Sequence, residues 1–387
     1  MSHDYVVSQD HCPDGAARTR QALIHPYVDF LCLGGLSLLC LVAVTVFPEH
    51  GISIAQASLY SMMISHVINA PHFAHSYHLF YRDFKKKISA SSDTGSLRWR
   101  YMFAGIVVPV VLVGFFAFCY FDKNTMLLGY GANAMFFFVG WHYVKQGYGI
   151  LIVDSVLKRQ FLSSFEKKVF LVNAYLCWIC FWFWVNTNEE SMFQAFWGIP
   201  YRLLTLPPEY NDGMALLAMI STGVMVNMFC LRLYRQGWQG LPWTGLVAYL
   251  ASIYVWLLPY SFDPVYFYFI PMFHSLQYLP VVWRFELNRS QGIQGHRMSY
   301  GLRRFLPWMS QAQAHLILFI LIGCIAGYAM FWLVPQLFDR VIPYHHETFS
   351  TTLFMFTSWI FINVHHYFLD NVMWRRENKS VQQHLFQ

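Results

Sequence analysis

Ten stretches of this chain carry few charges, and all but the shorter seventh run for about 20 residues or more, the length at which a helix crosses a hydrocarbon layer. They cover roughly residues 27–47, 54–81, 101–121, 125–157, 167–187, 213–234, 243–258, 264–287, 311–335 and 348–374. Lipid offers no hydrogen bonds to a bare backbone, so segments of this kind are helices before they are anything else. Only 12% of the residues are charged, where a soluble domain carries about 25%. The expected fold is all-α, a polytopic transmembrane bundle. Residues 1–26 form an N-terminal segment, 27–375 a single membrane domain and 376–387 a tail.

The basic residues set the orientation. Arg82, Lys85, Lys86 and Lys87 follow the second stretch, Lys158 and Arg159 the fourth, Arg232 and Arg235 the sixth. Arg284 and Arg289 end the eighth, and Arg375 and Arg376 follow the tenth. Both termini are therefore expected in the cytoplasm, with a bacterial inner membrane as the expected location. Residues 1–25 lack the apolar run of a cleavable signal. The net charge of +6 sits mostly in these loops and reports topology, so no nucleic-acid partner is expected. The longest loop, 188–212, contains Pro200, Pro207 and Pro208 and is expected to hold a short interfacial helix. Cys177 and Cys180 have CxxC spacing but lie in an apolar, aromatic run, where packing is the expected role.

Histidines recur inside four of the apolar stretches. His66, His72, His75 and His78 lie in the second, His142 in the fourth, His274 in the eighth, and His365 with His366 in the tenth. Ionisable groups in a membrane are costly and need partners, and a metal ion partners several imidazoles at once. Depth supports convergence. His72 to Arg82, His274 to Arg284 and His365 to Arg375 are each ten residues, about 15 Å of helical rise. The neighbouring polar positions are coherent too: His142, Lys145 and Gln146 share a face, as do His274, Gln277 and Tyr278, and Asn363, His366 and Asp370. All eight histidines are candidate ligands. Asp370 is either a ligand or the group that orients an imidazole, and Lys145, Tyr278 and Asp370 are the candidate catalytic residues. Lys145 is also a candidate ion-pair partner of Asp370. His25 and Asp29, four residues apart, are placed to close the cluster from one side. Pro71 and Pro280 predict kinks beside His72 and His274.

Imidazole-rich sites with few thiolates suit iron, zinc or copper. Eight histidines and a carboxylate match two iron ions better than one. In number and placement these residues resemble the histidine-rich integral-membrane diiron oxygenases, the class of desaturases and alkane hydroxylases. The likeness rests on His72-x2-His75-x2-His78 and the His365-His366 pair. Those enzymes carry HxxxH and HxxHH boxes, which are not reproduced here, and have fewer spans. The retinal-forming membrane carotene dioxygenases are similar in spreading single histidines over several helices around one iron. The resemblance implies a membrane-embedded oxidoreductase that uses O2 on a lipid-like substrate reached from the membrane lipids, with electrons from a separate cytoplasmic donor. Two other classes are open: a metal-ion or proton transporter with a histidine relay, and a haem b electron-transfer protein.

Overall fold

A computed structural model describes residues 22–47, 51–89, 95–187, 195–257, 264–291, 308–375 and 377–386. Helices underlie all ten expected stretches. They are α1 (Pro26–Val46), α2 (Ile54–Ser65), α3 (Asn69–Tyr81), α4 (Phe84–Ser89), α5 (Gly95–Phe121), α6 (Thr125–Leu157), α7 (Ser164–Thr187) and α8 (Pro208–Gln236). After these come α9 (Trp243–Val255), α10 (Pro264–Phe267), α11 (Ile270–Gln291), α12 (Gln311–Val341), α13 (His346–Phe349), α14 (Leu353–Met373) and α15 (Lys379–Leu385). Five of them, α1, α5, α7, α8 and α12, are long and apolar enough to cross a membrane, which marks an integral membrane protein. Their outer faces carry exposed Val110, Val111, Leu217, Ile220 and Ile325. Such faces belong against lipid. Serine caps close two of the helix starts: Ser53 with Gln56, and Ser310 with Gln313, each form a reciprocal capping box.

The second stretch is two helices, α2 and α3, with residues 66–68 between them. Pro71 explains the break. It has no N–H to give residue 67, and its ring excludes that carbonyl, but it is tolerated in the first turn of a new helix. Pro280 lies inside α11, which continues through it. The 188–212 loop differs from expectation. Residues 188–194 lie outside the described residues, and 195–200 form a hairpin, β1 (Ala195–Phe196) on β2 (Ile199–Pro200), rather than a helix. Its turn residues Trp197 (φ 47°) and Gly198 (φ 78°) are both left-handed, the geometry that matches strand twist in a two-residue hairpin.

Four helices form a closed ring at the centre: α3 packs on α11 and α14, and α6 also packs on α11 and α14. Side-chain contacts give their direction. Ser76 touches Tyr278 and Tyr278 touches Asp370, each contact four residues beyond a histidine of the ring, so α3, α11 and α14 run parallel. Gln146 on α6 reaches the His274 carbonyl and Gln277 in the same sense. α9 packs along α6, and α12 along α3.

A break in α1 meets the ring from outside. Gly34 has φ 155°, and a Cβ there would stand 3.0 Å from the Val247 carbonyl of α9. The Leu33 carbonyl accepts from Gln277 Nε2 at 2.7 Å. Gln277 thus joins α1, α9 and α11, because its amide also reaches the Ala248 carbonyl at 3.1 Å and Ser252 at 3.1 Å.

Within the expected tail, the helix α15 is docked. Val381 and Leu385 of α15 are buried against α11. Arg284 donates to the Leu385 carbonyl at 2.7 Å and to the Ala22 carbonyl at 2.6 Å, so one guanidinium holds segments from both ends of the chain. Nearby, buried Glu286 collects Arg82 at 3.0 Å, Arg289 at 2.9 Å and His315 at 3.1 Å, tying the ends of α3, α11 and α12 together.

Candidate metal centre

Each helix of the ring contributes one histidine to its centre. His72 (α3), His142 (α6), His274 (α11) and His366 (α14) are buried, and one ring nitrogen from each lies within 4.8 Å of the others. Ring centroids are 4.5 Å apart for His72 and His366, 4.9 Å for His142 and His274, and 4.9 Å for His142 and His366.

The hydrogen bonding of this group is incomplete in a specific way. His72 Nε2, His142 Nε2 and both nitrogens of His274 and His366 are buried with no hydrogen-bond partner. Such groups are rare in folded proteins because each costs about 1–3 kcal/mol. Several in one spot are the arrangement of ligand nitrogens, since a metal takes the lone pairs. The residues present therefore fit a bound ion. The His72 tautomer suits the same purpose. Ser275 Oγ donates to Asn69 Oδ1 at 2.7 Å, which leaves it to accept from His72 Nδ1–H at 3.0 Å. Nε2 is then the free lone pair, the usual outer-shell control of a metal-binding histidine.

Aromatic rings sheathe the group, one against each histidine. Tyr278 lies 4.4 Å from His72, Tyr367 4.5 Å from His142, Tyr143 4.2 Å from His274 and Phe73 4.5 Å from His366, centroid to centroid. The sheath locks the imidazoles and keeps water out.

A polar tier lies one helical turn further along. Ser76, Gln146, Tyr278 and Asp370 each follow a ring histidine by four residues. Ser76 Oγ and Tyr278 OH are 2.5 Å apart, and Tyr278 donates to Asp370 Oδ1 at 3.3 Å. Asp370 Oδ2 stands 3.5 Å from His366 Nε2 and 3.9 Å from His142 Nε2.

The other nominated histidines are elsewhere. His365, beside His366 in sequence, points 100° away. Its Nε2 donates to the Ala104 carbonyl at 3.0 Å, and its Nδ1 accepts from Tyr77 at 2.9 Å. Both nitrogens are spoken for. The acceptor exists because Pro109 has no N–H and Val108 N–H bonds Phe103 O in a π-turn, which turns Ala104 O and Gly105 O to side chains. His75 stacks on Phe319 at 4.1 Å, and Gly323 leaves the space for its ring. His78 is exposed. His66, at the break between α2 and α3, bonds the Met62 carbonyl at 2.8 Å and stacks on Trp332 at 5.2 Å. His25 is exposed, and Asp29 is taken up by the backbone N–H groups of Leu23, Ile24 and His25, so this pair does not close the cluster. Lys145 is half-buried and forms no ion pair with Asp370, whose ionisable neighbours are His142 and His366.

Ser76, Ser275 and three of the four sheath rings, Phe73, Tyr143 and Tyr367, are absent from the sequence-based site. The four-residue spacing from each ring histidine to a polar residue was the available signal for Ser76. No protein-family model matches this chain, and no curated protein or solved structure does.

Proposed function

We propose that this chain is a multi-pass membrane oxidoreductase with one metal ion in the four-histidine centre, acting on a hydrophobic, lipid-like substrate. The reading rests on the convergence of four buried histidine nitrogens, from four parallel helices, in a site lined by aromatic rings. Eight histidines would have served two ions; four make the shell of one, so a single iron replaces the expected pair, with copper or zinc as the other metals an imidazole shell accepts. When bound, such an ion supplies Lewis-acid chemistry and, for iron or copper, electron transfer to O2.

The residues of the chain do the rest. His72, His142, His274 and His366 would hold the ion. Ser275 and Asn69 fix the His72 tautomer. Tyr143, Tyr367 and Phe73 exclude water and give an apolar substrate a surface to lie on. Tyr278, Ser76 and Asp370 provide a hydrogen-bonded set on one side only, where a proton can be held at Asp370 or at the Tyr278 hydroxyl. A separate donor on the cytoplasmic side would supply electrons.

The same reading places ten helical crossings in a cell membrane, α2 with α3 counting as one, and both termini in the cytoplasm. The loops after α3, α6, α8 and α11 carry the positive charge, as a cytoplasmic side requires. A haem fits this centre poorly, because two of the four histidines would stand where the macrocycle has to lie. A relay for transport fits poorly as well: Asn69 and Asn363 lie one turn before His72 and His366, but Phe138 and Ile270, one turn before His142 and His274, are apolar.

Elemental analysis of the full-length protein, purified without added metal or chelator, tests the proposal. About one transition-metal ion per chain is expected, with no Soret band. No ion bound in the wild type, or a Soret band with haem iron, refutes it.

A further inference from the structure

Outside the four histidines, the Asp370 carboxylate is buried beside the centre. Its two oxygens are used differently. Oδ1 accepts from Tyr278, which Ser76 holds in turn. Oδ2 faces the histidines, 3.5 Å from His366 Nε2 and 3.9 Å from His142 Nε2. Neither contact is a hydrogen bond, since both nitrogens are without a partner. A carboxylate that merely orients a metal-binding imidazole bonds the far ring nitrogen, behind the ligand. Asp370 instead stands beside Nε2 of His142, the unpartnered nitrogen of that ring.

The distances approach those of neighbouring ligands of one ion. Donors about 2.1 Å from a metal and about 90–110° apart are about 3.0–3.4 Å from each other. Asp370 Oδ2, at 3.5 and 3.9 Å from two histidine nitrogens, lies just outside that range and outside the four-histidine group whose ligand atoms are all within 4.8 Å of one another, so it joins the shell by a short inward shift of its side chain. The position on the helix fits too, because residues four apart on one face can both reach one ion, as His366 and Asp370 do here.

Resting on the one-ion reading above, we propose that Asp370 Oδ2 is the fifth donor to the centre, making a four-histidine, one-carboxylate shell tethered by Tyr278 and Ser76. The consequence is selectivity. Five protein donors favour ions that take five or six ligands, such as iron, manganese or cobalt, over zinc held tetrahedrally. The carboxylate also supplies one negative charge to a shell of neutral imidazoles, and its tether fixes it on the polar side, so an open coordination position is left toward the aromatic sheath.

Cobalt(II) is the probe, added to metal-free, full-length protein in detergent and read by visible absorption, with bound metal measured in parallel. The wild type should bind cobalt with the weak bands of a five-coordinate ion. Asp370→Asn should keep cobalt on its histidines, with bands several-fold more intense as the ion becomes four-coordinate. Tyr278→Phe keeps the carboxylate but frees its other oxygen, and should shift the bands without removing the metal. Intense four-coordinate bands in the wild type, or superimposable spectra for wild type and loaded Asp370→Asn, overturn the assignment and leave the metal centre standing. If Asp370→Asn does not fold, the Tyr278→Phe spectrum decides, and one superimposable on the wild type overturns the assignment. A wild type that binds no cobalt overturns the metal centre itself, and this assignment with it.

Discussion

His72 Nδ1 lies 3.0 Å from the hydroxyl of Ser275, and that hydroxyl is already committed as donor to Asn69. The direction of one hydrogen bond therefore decides which nitrogen of His72 carries the proton, from a residue on another helix. Ser275→Ala removes the decision and leaves the ligand in place. Metal affinity should fall about 10–100-fold, the usual cost of an outer-shell loss, while the protein folds and inserts as before. A competition titration against a chelator measures it; an unchanged affinity would show that packing alone sets the ring.

Alanine replacements should sort the histidines sharply. His142→Ala and His366→Ala should each lose most of the bound metal. His75→Ala should keep it. His365→Ala should also keep it but lose stability, about 1–3 kcal/mol, because the Ala104 carbonyl and the Tyr77 hydroxyl are left without their partner. Metal content and thermal unfolding, measured on the same four preparations, separate the two effects. Metal loss from His365→Ala with His366→Ala unaffected would reverse the assignment on α14.

Gln277 joins three helices through one amide, so its replacement tests how the ring is held. Gln277→Leu keeps the volume roughly and strands the Leu33 carbonyl at the break in α1. The expected loss is about 1–3 kcal/mol, seen as a lower unfolding temperature with metal still bound at saturating concentration. Unchanged stability would mean that Gly34 alone accounts for the break.

The docked tail gives a further test. Removing residues 379–387 takes away the buried Val381 and Leu385 side chains, about 1.5–3 kcal/mol each, and leaves the Arg284 guanidinium with one fewer acceptor. The truncated protein should unfold at a lower temperature and be cut sooner by protease. Equal stability would show that α15 contributes nothing to the fold.

Orientation is checked with single cysteines at two exposed positions in a background freed of native cysteines. A membrane-impermeant maleimide applied to intact cells should label His345→Cys and not Gln383→Cys. The opposite pattern would invert the topology and move the polar tier to the outer side.

Much of this was legible in the sequence. Equal spacing from His72 to Arg82 and from His274 to Arg284 gave the depth, and the i, i+4 pair His366 and Asp370 gave one face. The choice between His365 and His366 was not legible from depth or composition, since adjacent residues share a level and differ by about 100° in direction. It is settled by a carbonyl on another helix, and the clue to that carbonyl was Pro109, in a segment with no histidine. His75 and His78 misled for the same reason: their spacing placed them near one face of α3, while Phe319 and Gly323 of α12, far along the chain, supplied a pocket for His75. Hydropathy also undercounts the helices of the centre: the break at residues 66–68 leaves α3 only 13 residues long, and polar groups, the site's among them, lower the apolar average of α6, α11 and α14.

The π-turns at Phe103–Val107 and Ala329–Leu333 are each followed by a proline at the same offset, Pro109 and Pro335. In each case the carbonyl four residues before the proline finds a side chain on another helix: Tyr81 takes Gly105 O at 2.9 Å, and Trp359 takes Phe331 O at 3.2 Å. Oily helices have little to tell one another apart by, since every face is equally content among acyl chains. An unpaired carbonyl is different. It acts as an address that only one donor at one rotation answers. Trp359 and His365 are both on α14, so that helix answers two such addresses at once, on α12 and α5. Its rotation is fixed before any ion arrives, and the proline-marked neighbours, which carry none of the four ring histidines, decide which imidazole of α14 looks inward.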